Sequence, residues 1–173
     1  MNAAKYHAKW TAAIQPHVPE PLLAVGQFSR AGAMTTGLVG MGSGAARVVM
    51  NHSNKKKSAG LPQNLVAGLT ASHLYLWKYR VKYMTTKLKI KGDPAMVIDR
   101  STVAITVGGN DGFAHRVHFW LPSGEKFELD SASAMGGDQL NGPLLQQLVV
   151  PAAPYPQPGF VDPNRETVPP QSQ

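Results

Sequence analysis

The chain has no cysteine among its 173 residues. Disulfides, a thiolate nucleophile and cysteine-ligated zinc are therefore excluded, and a reducing compartment is permitted. Acids are scarce in the first half. Residues 1–92 hold 13 Lys/Arg and one acid, Glu20, whereas residues 93–173 hold four Lys/Arg and nine Asp/Glu. The net charge of +7 is thus a half of +12 followed by a half of −5. Long apolar runs are missing as well. The stretch between Arg30 and Arg47 has 16 residues without a charge. As a helix it would reach about 24 Å, short of the roughly 30 Å hydrocarbon core. The N-terminus carries lysines and no continuous apolar segment, so it does not read as a secretory signal. A mean hydropathy of −0.18 suits a soluble globular domain. The expectation is a cytoplasmic protein that associates peripherally with a membrane.

Catalytic signatures are absent too. Gly37 and Gly42 have the separation of a P-loop, but Ser43 stands where the lysine must be. Gly40-x-Gly42-x-Gly44 breaks the dinucleotide-binding spacing, and the next acid is Asp93. Ser43 is not in a GxSxG elbow. His115 and His118 lie in a strand-like segment, where a separation of three puts them on opposite faces. Asp99, Glu125, Glu128 and Asp130 read as charges that offset the basic half or sit at turns. No catalytic residue, metal ligand or cofactor is assigned, and the expected function is non-enzymatic.

What is present begins with a short amphipathic helix over roughly 2–15. Tyr6, Trp10 and Ile14 fall on one face, and Pro16, Pro19 and Pro21 stop it. Residues 31–50 follow with five glycines, each costing about 1 kcal/mol in a helix relative to alanine. If this stretch becomes helical, Ala33, Gly37, Gly40 and Gly44 share one face that permits close helix approach. It reads either as an interfacial or self-association segment, followed by the basic run Lys55, Lys56 and Lys57, or as a loop or helix packed on its own domain.

From Leu61 the pattern turns to strands. "LPQNLVAGLT", "HLYLWKYRVKY", "TKLKIKG", "AMVI", "TVAITV", "HRVHFWL" and "EKFELD" give about seven, with turn signals at 92–94, 108–112 and 122–124. This predicts an antiparallel barrel or sandwich. "NGPLLQQLVV" predicts a C-terminal helix with Gly142 as cap and Pro143 in its first position. The 23 residues after Val150 contain seven prolines and read as an extended or disordered tail. The division is an N-terminal extension at 1–60, a barrel domain at 61–150 and a tail at 151–173.

The most particular feature is "LYLWKYRVKYMTTKLKIK", residues 74–91, with six cations and no acid. Alternation puts Tyr75, Trp77, Tyr79, Val81 and Tyr83 on one face, and Leu74, Leu76, Lys78, Arg80 and Lys82 on the other. A two-residue turn at Met84-Thr85 would pair Lys82 with Lys87, Arg80 with Lys89, and Lys78 with Lys91. All six cations then share one outward face. Met-Thr is a poor turn pair, and like charges directly opposite repel, so a longer loop with shifted register is an alternative. Alternating lysine is also a common solubilising and edge-protecting pattern. That pattern does not account for the lack of any acid between Pro21 and Gly92.

Strands closed by one C-terminal helix follow the order of a pleckstrin-homology-like barrel. "LVAGLTASHLYLWKY" resembles the opening hairpin of bacterial PH-like and GRAM-like domains. "RVHFWLPSGEKFELD" resembles their later hairpin, and "LNGPLLQQLV" takes the place of the closing helix. The resemblance covers about residues 61–150 and leaves 31–50 unexplained. It implies a binding module, since PH-like domains commonly bind anionic lipid head groups or peptides. The expected anion-binding residues are Lys78, Arg80, Lys82, Lys87, Lys89 and Lys91, assisted by Lys55, Lys56 and Lys57. The expected partner is an anionic lipid or membrane surface. Nucleic acid on the same basic face, and a protein partner or self-association through 31–50, are the alternatives.

Overall fold

The computed structural model describes residues 3–32, 57–79, 88–90, 92–110, 112–121, 125–133 and 137–149. Helix α1 (Ala3–Ile14) ends in a 3-10 turn, Gln15–His17, that contains Pro16. The strands are β1 (Ala24–Arg30), β2 (Asn64–Leu69), β3 (His73–Lys78), β4 (Met96–Asp99), β5 (Ala104–Asn110), β6 (Ala114–Trp120) and β7 (Lys126–Ala132), followed by helix α2 (Gly137–Val149). The strands form one antiparallel sheet in the order β4-β3-β2-β1-β7-β6-β5. It consists of two meanders, β1–β4 and β5–β7, joined where β1 meets β7.

Strand number matches the expectation, but two strands differ. β1 lies in the stretch that sequence assigns to an N-terminal extension, and it sits in the middle of the sheet. The strand expected over "TKLKIKG" is not seen in its described part, because residues 88–90 have no strand structure. The expected closure is also missing: β4 and β5 remain the two edges of an open sheet.

Both faces of β2 and β3 are buried. Leu65, Ala67 and Leu69 of β2 and Leu74 and Leu76 of β3 join Phe119, Phe127, Leu129 and the Leu144, Leu145 and Leu148 stripe of α2. Val66, Tyr75 and Trp77 project the other way and pack with Trp10, Ile14 and Val18. This is the period-two geometry of strands meeting a helix on each side. Gly68 lets α1 come close: a Cβ there would lie 2.8 Å from Ile14 Cγ2.

Helix α2 starts at Gly137, so Pro143 is inside it and not at its first position. Its missing N–H leaves the Gln139 carbonyl without the usual helical donor, which the exposed side of the helix tolerates. The extra turn is anchored by Leu140 and Asn141, both buried. A Cβ on Gly137 would strike the Ala132 carbonyl, so glycine lets the helix begin directly against β7.

Two polar side chains tie the meanders together. β1 pairs with β2 from Ala24 to Ser29, but with β7 only at Ser29 and Arg30. Buried Asn141 occupies the gap. Its Oδ1 accepts the Gln27 N–H at 2.9 Å, and its Nδ2 donates to Ala132 O at 3.4 Å. Arg100, in the β4–β5 turn, donates to Thr70 O at 2.9 Å, Ala71 O at 3.0 Å and Gln147 O at 2.9 Å. It joins both turns at this end of the first meander to the last turn of α2.

Candidate functional site

Antiparallel order fixes which connections emerge together. The β1–β2 connection (31–63), the β3–β4 connection (79–95) and the β6–β7 connection (121–125) leave from the same end of the sheet. The first contains Arg47, Lys55, Lys56 and Lys57 and no acid; the second contains Arg80, Lys82, Lys87, Lys89 and Lys91 and one acid, Asp93. Lys78 is the last residue of β3 and is exposed. The two basic runs, separated in sequence, are therefore attached to one end of the molecule.

Among the expected site residues, Lys57, Lys78 and Lys89 are described, and all three are exposed. Lys55, Lys56, Arg80, Lys82, Lys87 and Lys91 lie outside the described residues, as do Ala33, Gly37, Gly40 and Gly44. The expected hairpin pairs each involve Arg80, Lys82, Lys87 or Lys91 and so lie outside the described residues; β3 as described has other neighbours. That strand pairs with β2 on one side, Leu65 opposite Lys78, and with β4 on the other. Continuing the β4 register would set Lys78 opposite Pro94, not Lys91. Nor is the face opposite the aromatics a solvated one, since Leu74 and Leu76 are fully buried beneath it. Sequence alternation identifies two faces correctly, but a strand buried on both sides does not reveal which helix covers each.

One part of the alternation survives outside a strand. Leu88 and Ile90 pack against the cluster of Trp10 and Trp77, while Lys89 between them is exposed. The aromatic side chains are engaged on that same inner side. Tyr75 and Trp77 stack at 5.7 Å, and Trp10 meets Tyr79 edge-on at 5.9 Å. Burial and the neighbouring Tyr6 push the Tyr79 hydroxyl above its ordinary pKa.

The returning limb of the β1–β2 connection is tightly built. Fully buried Ser58 follows Lys57. Ala59 and Gly60 both have positive φ, 50° and 73°, and Leu61 N–H closes the turn onto Ser58 O at 2.9 Å. Arg30 Nε then donates to Leu61 O at 2.6 Å. Sequence reasoning passed over Ser58, because an isolated serine in a basic run carries no pattern.

The cations of the second meander are engaged differently. Arg116 Nε donates to Asp130 Oδ1 at 2.5 Å, and Arg116 Nη1 to Glu128 Oε2 at 3.2 Å. Lys126 Nζ lies 3.4 Å from Glu128 Oε1 and 5.3 Å from the Trp120 ring centre. Burial pushes the Glu128 carboxyl up, but His118, Arg116 and Lys126 outweigh it and hold the group below its ordinary pKa. Burial dominates at His118 and lowers its pKa. Glu128 and Asp130 thus neutralise cations of their own half, not the basic half. His115 and His118 sit on opposite faces, paired across from Ser131 and Glu128. Among the described residues no group of three or more His, Asp or Glu is arranged to hold a metal ion, and no helix is long and apolar enough to cross a membrane.

Neither protein-family models nor curated proteins match this chain. Its reading rests on geometry and charge.

The opposite end of the first meander is acidic. Asp99 caps the β4–β5 turn through Ser101 N at 2.9 Å and Ser101 Oγ at 2.7 Å. Glu20 accepts the Ser72 hydroxyl and the Ser72 N–H, and faces His73 Nδ1 at 3.4 Å. The Ser72 hydroxyl bond is the main reason its carboxyl is held below the ordinary 4.5. A carboxylate with a depressed folded pKa adds stability above its unfolded value and loses it as pH falls through the folded one. The melting-temperature gap between the parent chain and Glu20→Gln is therefore expected to narrow as pH drops below about 4.5. Thermal melts from pH 7 to pH 3 measure it, and a gap that widens on acidification contradicts the assignment.

Proposed function

We propose that this chain is a non-enzymatic, PH-like binding module that docks on an anionic surface, most simply the head groups of anionic lipids. The contact is the sheet end from which the β1–β2 and β3–β4 connections emerge. The observation that carries this reading is the joining of two sequence-distant basic runs at one end by strand order, while Glu20 and Asp99 lie at the other. The PH-like resemblance is supported by two antiparallel meanders in the order 4-3-2-1-7-6-5 with a C-terminal helix against them. Charge separated along the strand direction orients a molecule before contact as well as holding it there.

Near an anionic bilayer each cation contributes about 1 kcal/mol at low salt. Lys78→Ala combined with Lys89→Ala is thus expected to weaken partition onto phosphatidylcholine vesicles containing one-third phosphatidylglycerol by about thirtyfold. The effect shrinks as salt shortens the Debye length. Co-sedimentation decides the matter: equal binding of the parent chain to neutral and anionic vesicles sinks the proposal. Nucleic acid on the same end is less well supported. Single-strand binding stacks bases on open aromatic faces beside cations, whereas Tyr75, Trp77 and Tyr79 pack against the α1 side.

A further inference from the structure

Strand β1 does not simply end at Arg30. Continuing its pairing with β7 from Ser29–Asp130 would set Ala31 opposite Glu128. At that rung the Ser58 hydroxyl is interposed. It accepts the Ala31 N–H at 3.1 Å and donates to Glu128 O at 2.8 Å. The following N–H, of Gly32, is taken by Asp130 Oδ2 at 2.6 Å. The chain turns at Gly32 with φ 75°. Asp130 is 2% exposed and Ser58 0%. A carboxylate so buried requires compensation, which Arg116 and the Gly32 amide both give. The two ends of a connection of more than twenty residues are therefore seated two residues apart on β7, the outgoing limb on the Asp130 carboxylate and the returning limb, through the Ser58 hydroxyl, on the Glu128 carbonyl.

We propose that Ser58 and Asp130 are positioning residues for the anion-binding end. They clamp the root of the β1–β2 connection to β7, and so fix where Lys57 meets an anionic surface relative to Lys78 and Lys89. This rests on the function proposed above. The geometry favours positioning over mere loop closure because the clamp is adjacent in sequence to the cation: Ser58 is fully buried and Lys57, its neighbour, is exposed. A tight turn through Ala59 and Gly60 holds the other side of Ser58. Lys57 therefore emerges from an anchored backbone.

The test uses the full chain with Ser58→Ala, Asp130→Asn, Lys57→Ala and the Ser58→Ala/Lys57→Ala double variant. Partition onto the phosphatidylglycerol-containing vesicles is read beside amide exchange. Lys57→Ala is expected to weaken partition about fivefold, the worth of one interfacial cation. Ser58→Ala weakens it by a comparable factor in the parent but adds nothing in the Lys57→Ala background, because both changes remove one placed charge. A structural lesion unrelated to Lys57 would instead lower partition equally in both backgrounds, and that outcome overturns the positioning role. Amide exchange judges the clamp independently. Exchange at Ala31 accelerates at least about tenfold in Ser58→Ala, and at Gly32 in Asp130→Asn, with β2 and β3 amides unchanged. Unaltered exchange at both positions overturns the clamp. If the parent chain does not prefer anionic vesicles, the function proposal and the positioning role fall together, and exchange alone still decides whether the clamp exists.

Discussion

Arg100→Met is expected to lower the unfolding free energy by about 3 kcal/mol, as several carbonyls lose a charged donor at once. The side chain is 9% exposed, and its partners are the backbone carbonyls of Thr70, Ala71 and Gln147. Methionine fills much of the same volume, so the loss is electrostatic more than steric. Gln147 lies in the last turn of α2, where carbonyls lack helical donors and a cation also meets the negative end of the helix dipole. Arg100→Lys recovers only part of the stability, because one ammonium cannot reproduce the span of a guanidinium fork. Urea unfolding of the three proteins measures this. A methionine variant within about 0.5 kcal/mol of the parent, the range of ordinary surface substitutions, would remove Arg100 from its structural role.

Asn141→Leu is expected to cost a similar amount, about 3 kcal/mol, for a related reason: the volume is kept and two backbone groups, one of them a donor, are abandoned. Gln27 N–H and Ala132 O face a gap in the sheet and take their hydrogen bonds from the Asn141 amide. Leucine offers neither partner. At this chain size each kcal/mol shifts the melting temperature by about 2–4 °C, so a drop of roughly 6–12 °C is expected. Asn141→Asp is a useful companion. It keeps the acceptor for Gln27 but loses the donor to Ala132 and buries a charge, so it should not rescue. A leucine variant that melts with the parent would mean that water or backbone movement satisfies both groups.

Much of the second meander was legible in the sequence, because its strands alternate cleanly. Val117, Phe119, Phe127 and Leu129 face the core, and Arg116, His118, Glu128 and Asp130 face away. The N-terminal helix was legible for the same reason, at its own period. β1 was not. "AVGQFSR" breaks its alternation at Gly26, which reads as a turn signal in isolation. In the fold that glycine admits α2, whose Leu144 Cδ2 would lie 2.6 Å from any Cβ placed there. The start of α2 was missed because Gly137 and Gly142 both look like boundaries. Only contact with Ala132 shows why the first belongs inside. At the candidate site, the sequence joined the two basic runs by charge alone, and the geometric reason for joining them was not legible. It depends on strand order, and strand order hinged on the missed β1.

The narrow junction between the meanders also bears on how the chain folds. In the β2–β3, β5–β6 and β6–β7 hairpins, partners are close in sequence, so their contacts form at little entropic cost. The β1–β7 rung at Ser29 and Asp130 joins residues 101 positions apart, a closure worth about 4 kcal/mol of chain entropy. Hairpins that form early and a seam that forms late follow from that difference. Asn141, which belongs to the seam, should then act on the rate of unfolding and leave the rate of folding almost untouched.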